Sequence, residues 1–192
     1  MDNDIEKASQ IVRNGGIIIF PTDTAFGIGC RMDRNDSVEK LFRIRKRPTS
    51  QATPVLVSSV EMARDLVEKM PAEVETLMEK NWPGPLTIIL PAKKDKVLSL
   101  VRGGSDNVGV RMPNNDIILE IINRVGVPVL GPSANFHGEE TPYETKDLDK
   151  DLVKLVDYVL KGKSLFKKPS TVLDCSKKPW NIIRKGALDI NI

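Results

Sequence analysis

The sequence predicts an α/β fold, and three features carry the prediction. Helix-period and strand-like segments alternate along most of the 192 residues, the strand-like runs are short and closed off by Gly or Pro, and the length suits one hydrophobic core. Ile5, Ala8, Ile11 and Val12 share one face of a first helix, which Gly15-Gly16 stops. Ile17–Phe20 is a wholly apolar strand ending at Pro21. Asp36 or Ser37 is placed to cap a second helix that turns Val38, Leu41 and Phe42 inward and ends before Pro48. A strand at Val55–Val57 follows, and Ser59 caps another helix. Pro71 and Pro83-Gly84-Pro85 bracket the next, and Leu86–Leu90 reads as a buried strand from its aliphatic, β-branched run. Val108–Val110 is a short strand, Ile117, Ile118, Ile121 and Ile122 stripe a helix that Gly126 terminates, and Val127–Leu130 is the strand after it. The period makes Leu152–Leu160 helical, and Thr171–Asp174 and Ile182–Arg184 close the chain as strands. No internal repeat or low-complexity tract interrupts this order, so residues 1–192 are expected to form a single domain.

Apolar residues at 40% and charged residues at 29% argue against disorder. No apolar run approaches the roughly 20 residues that cross a bilayer. The start, Met1-Asp-Asn-Asp, is acidic where a signal peptide is basic and then apolar, so a cytoplasmic protein without membrane association is expected. Cys30 and Cys175 are the only cysteines and His137 the only histidine. No metal-ligand cluster can be drawn from them, a histidine-assisted nucleophile has little material, and both thiols are expected to be free and buried. The net charge of +3 is too small to mark a nucleic-acid binder. Its distribution is uneven, with Arg43, Arg45, Lys46 and Arg47 in one run and Lys161, Lys163, Lys167 and Lys168 in another. Such runs are either solvated faces or contacts for phosphate and RNA.

Several loops that border strands carry small polar residues, and open α/β sheets bind ligands at the ends of their strands. Pro21-Thr-Asp-Thr24, followed by Gly27-Ile-Gly29, leaves the first strand. Met32 stands where the third glycine of a dinucleotide fingerprint belongs, and no P-loop pattern exists. Two readings remain: a turn whose hydroxyls bond the local backbone, or hydroxyls and N–H groups lining a pocket for a small polar ligand. Arg45-Lys-Arg-Pro48 ends a helix, where cations suit the dipole and guanidinium groups are equally able to clamp phosphate. Arg111, closing Asn107-Val-Gly-Val-Arg111, is either a surface ion-pair partner or a ligand for a substrate carboxylate. Ser133-Ala-Asn135 and Ser170-Thr171 are ordinary turn formers taken singly.

Taken in order, Pro21-Thr-Asp-Thr-Ala-Phe-Gly-Ile-Gly29, Arg47-Pro48, Pro83-Gly-Pro-Leu-Thr87, Val108-Gly-Val-Arg-Met-Pro113, Pro132-Ser-Ala-Asn135, Ser170-Thr-Val172 and Ile183-Arg-Lys-Gly186 resemble the YrdC family over essentially the whole chain. That resemblance implies a YrdC-like domain: a twisted, mixed, open sheet flanked by helices, with a basic concave cavity. The short form is implied, without the extra C-terminal domain of longer relatives. The implied activity is that of a threonylcarbamoyl-AMP synthase, using L-threonine, bicarbonate and ATP with Mg²⁺, and serving a tRNA threonylcarbamoyl transferase. Thr22, Thr24 and Arg111 would bind threonine, and Arg45 and Arg47 would be the catalytic pair. Arg45, Lys46, Arg47, Asn107, Ser133, Asn135, Ser170 and Arg184 would bind ATP, with no metal ligand from the protein. The chain departs from the family pattern at Arg45 (usually Lys), Phe26 (usually Tyr), Gln51-Ala-Thr53 (usually Lys-Pro/Gly-Leu) and Asn107 (often Thr). A non-catalytic sibling that binds double-stranded RNA through phosphate contacts is the alternative, motivated by the altered basic motif.

Overall fold

The computed structural model describes residues 2–190. The first strand shows why its sequence is apolar throughout. In β1 (Ile18–Phe20), Ile18 and Phe20 face α1 (Asp2–Arg13) and α5 (Asp116–Val125), while Ile17 and Ile19 face the larger core on the other side. A strand covered on both faces has no polar side to offer. The larger core is closed by α2 (Asn35–Ile44), α3 (Val60–Leu66) and α4 (Ala72–Asn81).

The mixed α/β architecture agrees with the sequence, and its strands are shared between two sheets. A three-stranded sheet has the order β2 (Gly27–Gly29), β1, β7 (Tyr158–Val159), antiparallel on one side and parallel on the other. The six-stranded sheet runs β6 (Val129–Leu130), β3 (Val55–Leu56), β5 (Asn107–Arg111), β4 (Leu86–Pro91), β8 (Thr171–Asp174), β9 (Asn181–Arg184). Of its pairs, β3–β5 and β4–β8 are parallel and the others antiparallel. The sheets are stitched together where β2 meets β6, through the bridges Gly27–Ser133 and Arg31–Val129. The N–H of Ile28 also reaches the carbonyl of Pro132, and the N–H of Leu130 that of Cys30. This seam places the loop after β1 beside the loop after β6.

Local signals hold where they are self-contained. Ser59 caps α3 by accepting the N–H of Met62 at 3.1 Å, and Gly126 ends α5 at φ +78° in the left-handed region. Both cysteines are free and buried.

Three expectations change. Neither Asp36 nor Ser37 caps α2, because the helix begins earlier, at Asn35; Asp36 is held by Arg34 at 2.6 Å and the Ser37 hydroxyl donates to the Gly15 carbonyl. Helix stops at Lys154 in α6 (Lys150–Lys154), and Tyr158–Val159 becomes β7. Hydrogen bonds from Asp157 and Leu160 to the carbonyls of Ile17 and Ile19 recruit that segment to β1, and tertiary pairing overrides the local period. The strand expected from Val127 begins only at Val129, since Pro128 supplies no N–H to a ladder.

Gly27–Gly29 forms β2 although glycine is a poor strand former. Gly29 is required by proximity: a Cβ there would lie 1.8 Å from the Leu130 carbonyl oxygen across the seam.

Candidate active site

The loop after β1 is a tight turn built around one hydroxyl. Thr22 Oγ1 donates to the Ala25 carbonyl at 2.6 Å and accepts the N–H groups of Thr24 and Ala25, each at 3.2 Å. The Thr22 side chain is therefore spent on the turn itself, as the local reading of this motif expects. Thr24 is the residue the turn presents. Its Oγ1 accepts from Arg111 Nη1 at 2.7 Å.

Arg111 ends β5, opposite Leu56 of β3. Its Nε donates to the Gly84 carbonyl at 3.0 Å, and Nη2 is paired with Asp23 Oδ1. This is a buried ion pair and not a surface one. Burial draws the Arg111 pKa down, the Asp23 charge opposes that, and Arg184 adds to it. Nothing local in the sequence marks Asp23, a carboxylate whose partner lies 88 positions away.

Arg45 sits at the end of α2 and is 2% exposed. Nε donates to the Asn135 carbonyl and Nη2 to its Oδ1, while Nη1 is buried without a partner. Arg47 donates to the carbonyls of Gln51 and Ala52, which pins the following loop. Burial and the neighbouring Arg47 charge push Arg45 down to about 10, still cationic at neutral pH. Burial lowers Arg47 and Arg184 in the same direction. On the far side, Ser170 Oγ lies 2.8 Å from Thr87 Oγ1 and accepts from Arg184 Nη2 at 3.0 Å. Thr87 lies in β4, whose aliphatic run reads as core, and only the β4–β8 pairing brings its hydroxyl to Ser170.

These groups meet at a cavity of about 170 Å³ at the seam of the sheets. Thr22, Thr24, Arg45, Arg47, Arg111, Ser133, Ser170 and Arg184 line it, as do Thr87 and Thr141, which the sequence did not single out. An adjoining groove of about 390 Å³ shares Arg47, Pro54, Thr87, Ser170 and Arg184 with it. Three expected ATP contacts fall elsewhere. Asn107 lines the groove and not the cavity. Asn135 lies behind the wall, where its side chain takes the Ser133 hydroxyl at 2.6 Å and donates to the Glu139 carbonyl. Lys46 turns away at φ +51° and rests over the Phe136 ring at 4.5 Å, on the wall of a separate open groove. The lysines at 161, 163, 167 and 168 do not reach the cavity; Lys167 pairs with Glu144.

Four arginines thus line one small hollow, and no carboxylate lines it. Among the described residues Asp23 is the only acid paired with any of the four. Such a hollow favours a ligand with several negative charges, which would relieve the crowding of buried cations. Its hydroxyl and guanidinium donor set does not suit a resident divalent ion, which needs oxygen anions.

A family model described as Telomere recombination, covering Sua5, YciO and YrdC proteins, matches residues 10–186. The chain belongs to this family. Within the Sua5/YciO/YrdC family, the Bacillus subtilis threonylcarbamoyl-AMP synthase is 32% identical over 191 residues, which take in 97% of this chain and 54% of that protein. The structure of Pyrococcus abyssi Sua5 complexed with L-threonine superposes with a TM-score of 0.92 at 31% identity, over 95% of this chain and 54% of that one. Escherichia coli YciO is 31% identical in sequence, over 97% of this chain and 90% of its own length. Its crystal structure superposes with a TM-score of 0.88. The chain spans about half the length of the B. subtilis and P. abyssi proteins.

Proposed function

We propose that this chain is a threonylcarbamoyl-AMP synthase, a nucleotidyltransferase that joins L-threonine, bicarbonate and ATP into threonylcarbamoyl-adenylate and pyrophosphate for tRNA modification. The observation that carries this reading is the convergence of Thr24, Arg45, Arg47, Arg111, Ser133, Ser170 and Arg184 on one cationic cavity. Its support is the likeness in fold to a Sua5 that binds L-threonine and the kinship to a synthase of that name.

Threonine occupies the end formed by Thr24 and Arg111. Three of the five Arg111 N–H groups are committed to Gly84, Thr24 and Asp23, which leaves donors for the substrate carboxylate. Pro54 and Leu56 give the same wall an apolar stretch for the threonine methyl, worth ~1–3 kcal/mol against serine. ATP takes the other end, its phosphates beside Arg45, Arg47 and Arg184 and its remainder in the adjoining groove with Asn107. As part of the ATP substrate, Mg²⁺ would offset phosphate charge, since the residues lining the cavity offer it no oxygen anion.

No protein nucleophile is needed. The neutral threonine amine adds to bicarbonate with loss of water, or to CO₂ with loss of a proton, and the resulting carbamate oxygen attacks the α-phosphorus as the bond to the pyrophosphate oxygen breaks and pyrophosphate leaves. The arginines hold the reactants in line and offset the charge gathering on the phosphates. The product is a reactive mixed anhydride, so the reading calls for a tRNA threonylcarbamoyl transferase acting next in the cytoplasm, with residues 1–192 working as one domain.

The test is incubation of the pure chain with ATP, Mg²⁺, bicarbonate and threonine. Mass spectrometry should find threonylcarbamoyl-AMP, with pyrophosphate release that depends on both threonine and bicarbonate. Absence of the adenylate, or pyrophosphate release indifferent to threonine, refutes the assignment.

A further inference from the structure

We infer that Asp23 determines specificity within the cavity: by neutralising Arg111 it reserves that guanidinium for the carboxylate of a neutral amino acid and keeps phosphate off it. The inference rests on the function proposed above. Four guanidinium groups share a hollow of about 170 Å³, so geometry alone does not assign each to its substrate. ATP and pyrophosphate are polyanions, whereas threonine carries no net charge. The Arg111 side chain is only 7% exposed, and a planar fork in so enclosed a place is suited to bind phosphate through two hydrogen bonds. Left unpaired, it would compete for the wrong substrate.

Asp23 prevents this from a fixed position. Its side chain is fully buried, its Oδ1 takes Arg111 Nη2, and its backbone carbonyl accepts the Phe166 N–H at 2.8 Å. Arg111 is held in turn by the Gly84 carbonyl and Thr24, so neither partner can rotate away. Simple anchoring does not require a carboxylate, since a neutral carbonyl already performs that task at Gly84. Asp23 Oδ2 has no hydrogen-bond partner, so the second oxygen satisfies no donor network. What the carboxylate adds beyond geometry is its charge. Arg45, Arg47 and Arg184 have no acid partner among the described residues, so their charge is not offset.

The test measures binding without turnover, by calorimetry with threonine and pyrophosphate as probes. In the wild-type chain, saturating threonine should leave the pyrophosphate Kd unchanged, because the two occupy different guanidinium groups. Asp23→Asn keeps the shape and one acceptor but removes the charge. Pyrophosphate should then bind about tenfold tighter and displace threonine. A merely anchoring Asp23 predicts no such change, so a variant that matches the wild type in both measurements overturns the inference. Should Asp23→Asn fail to fold by circular dichroism, the wild-type experiment decides alone: competition between pyrophosphate and threonine there overturns it. A wild-type chain that binds no threonine at all overturns the functional proposal, which is a different result.

Discussion

Arg45 holds Asn135 twice, through Nε to its carbonyl at 3.1 Å and through Nη2 to its side-chain oxygen at 3.2 Å, across 90 positions of sequence. The His137 N–H returns to the Arg45 carbonyl at 2.8 Å, so the end of α2 and the loop after β6 are clamped into one wall. Ser133 is oriented by the same amide. Arginine is suited to this clamp because one planar group reaches two acceptors at once.

Arg45→Lys, which restores the residue usual in the YrdC family, should therefore weaken the wall. Loss of charged hydrogen bonds to Asn135 should cost about 1–3 kcal/mol in urea unfolding and raise the KM for ATP. A variant as stable as the wild type would show that the clamp contributes nothing.

Removing Asp23 leaves a buried guanidinium without its counter-charge. Asp23→Ala should lose about 3–5 kcal/mol of stability, and Arg111→Ala a similar amount. The double variant should lose less than the sum of the two, because the second substitution removes the orphaned partner. Additive losses would deny the coupling.

At the seam, Gly29→Ala places a Cβ 1.8 Å from the Leu130 carbonyl oxygen, and a backbone atom cannot swing aside. The expected cost is about 1–3 kcal/mol, with turnover reduced further because the Ser133 loop is paired to Gly27 two residues away. A fully active, fully stable Gly29→Ala protein would mean that the sheets are not joined there.

Thr87→Val keeps the shape of β4 but removes the hydroxyl 2.8 Å from Ser170 Oγ. Stability should fall by about 1–2 kcal/mol. The KM for ATP should rise while that for threonine stays constant, since the proposed function sets ATP phosphates beside Ser170 and Arg184. Equal shifts in both constants would misplace Thr87.

The thiols give a pH prediction. Burial raises Cys30 and Cys175 from 9.0 to about 12, with nearby aspartates adding to the shift. Between those values the unfolded chain has lost these protons and the folded chain keeps them. Their contribution to stability is thus whole below 9.0 and is lost as the pH climbs toward about 12. Unfolding midpoints should decline across that window, and a thiol reagent at neutral pH should label the denatured chain but not the native one.

The legible elements were those with short-range causes. Ser59 and Gly126 mark helix ends because capping involves atoms a few positions apart, and Ile17–Phe20 is apolar because both of its faces are covered. Thr24, Arg47, Arg111, Ser133, Ser170 and Arg184 stand out in the sequence through the family order of their motifs, and the fold brings them to one cavity. Lys46 and Asn135 lie within the same motifs yet point elsewhere, because a left-handed φ at Lys46 and the grip of Arg45 on Asn135 set their directions. Tyr158–Val159 has a helical period yet forms a strand, because its partner β1 lies far upstream in the chain.

The amino-acid sequence by itself determined the α/β class and most helix and strand positions, since periodicity, capping and turn residues act over a few positions. Only the tertiary structure decided which arginine is neutralised by a carboxylate and which are not. That choice depends on the carboxylate, carbonyl or hydroxyl within hydrogen-bond reach: the joining of the two sheets brings Asp23 to Arg111, and the β4–β8 pairing brings Thr87 to Ser170.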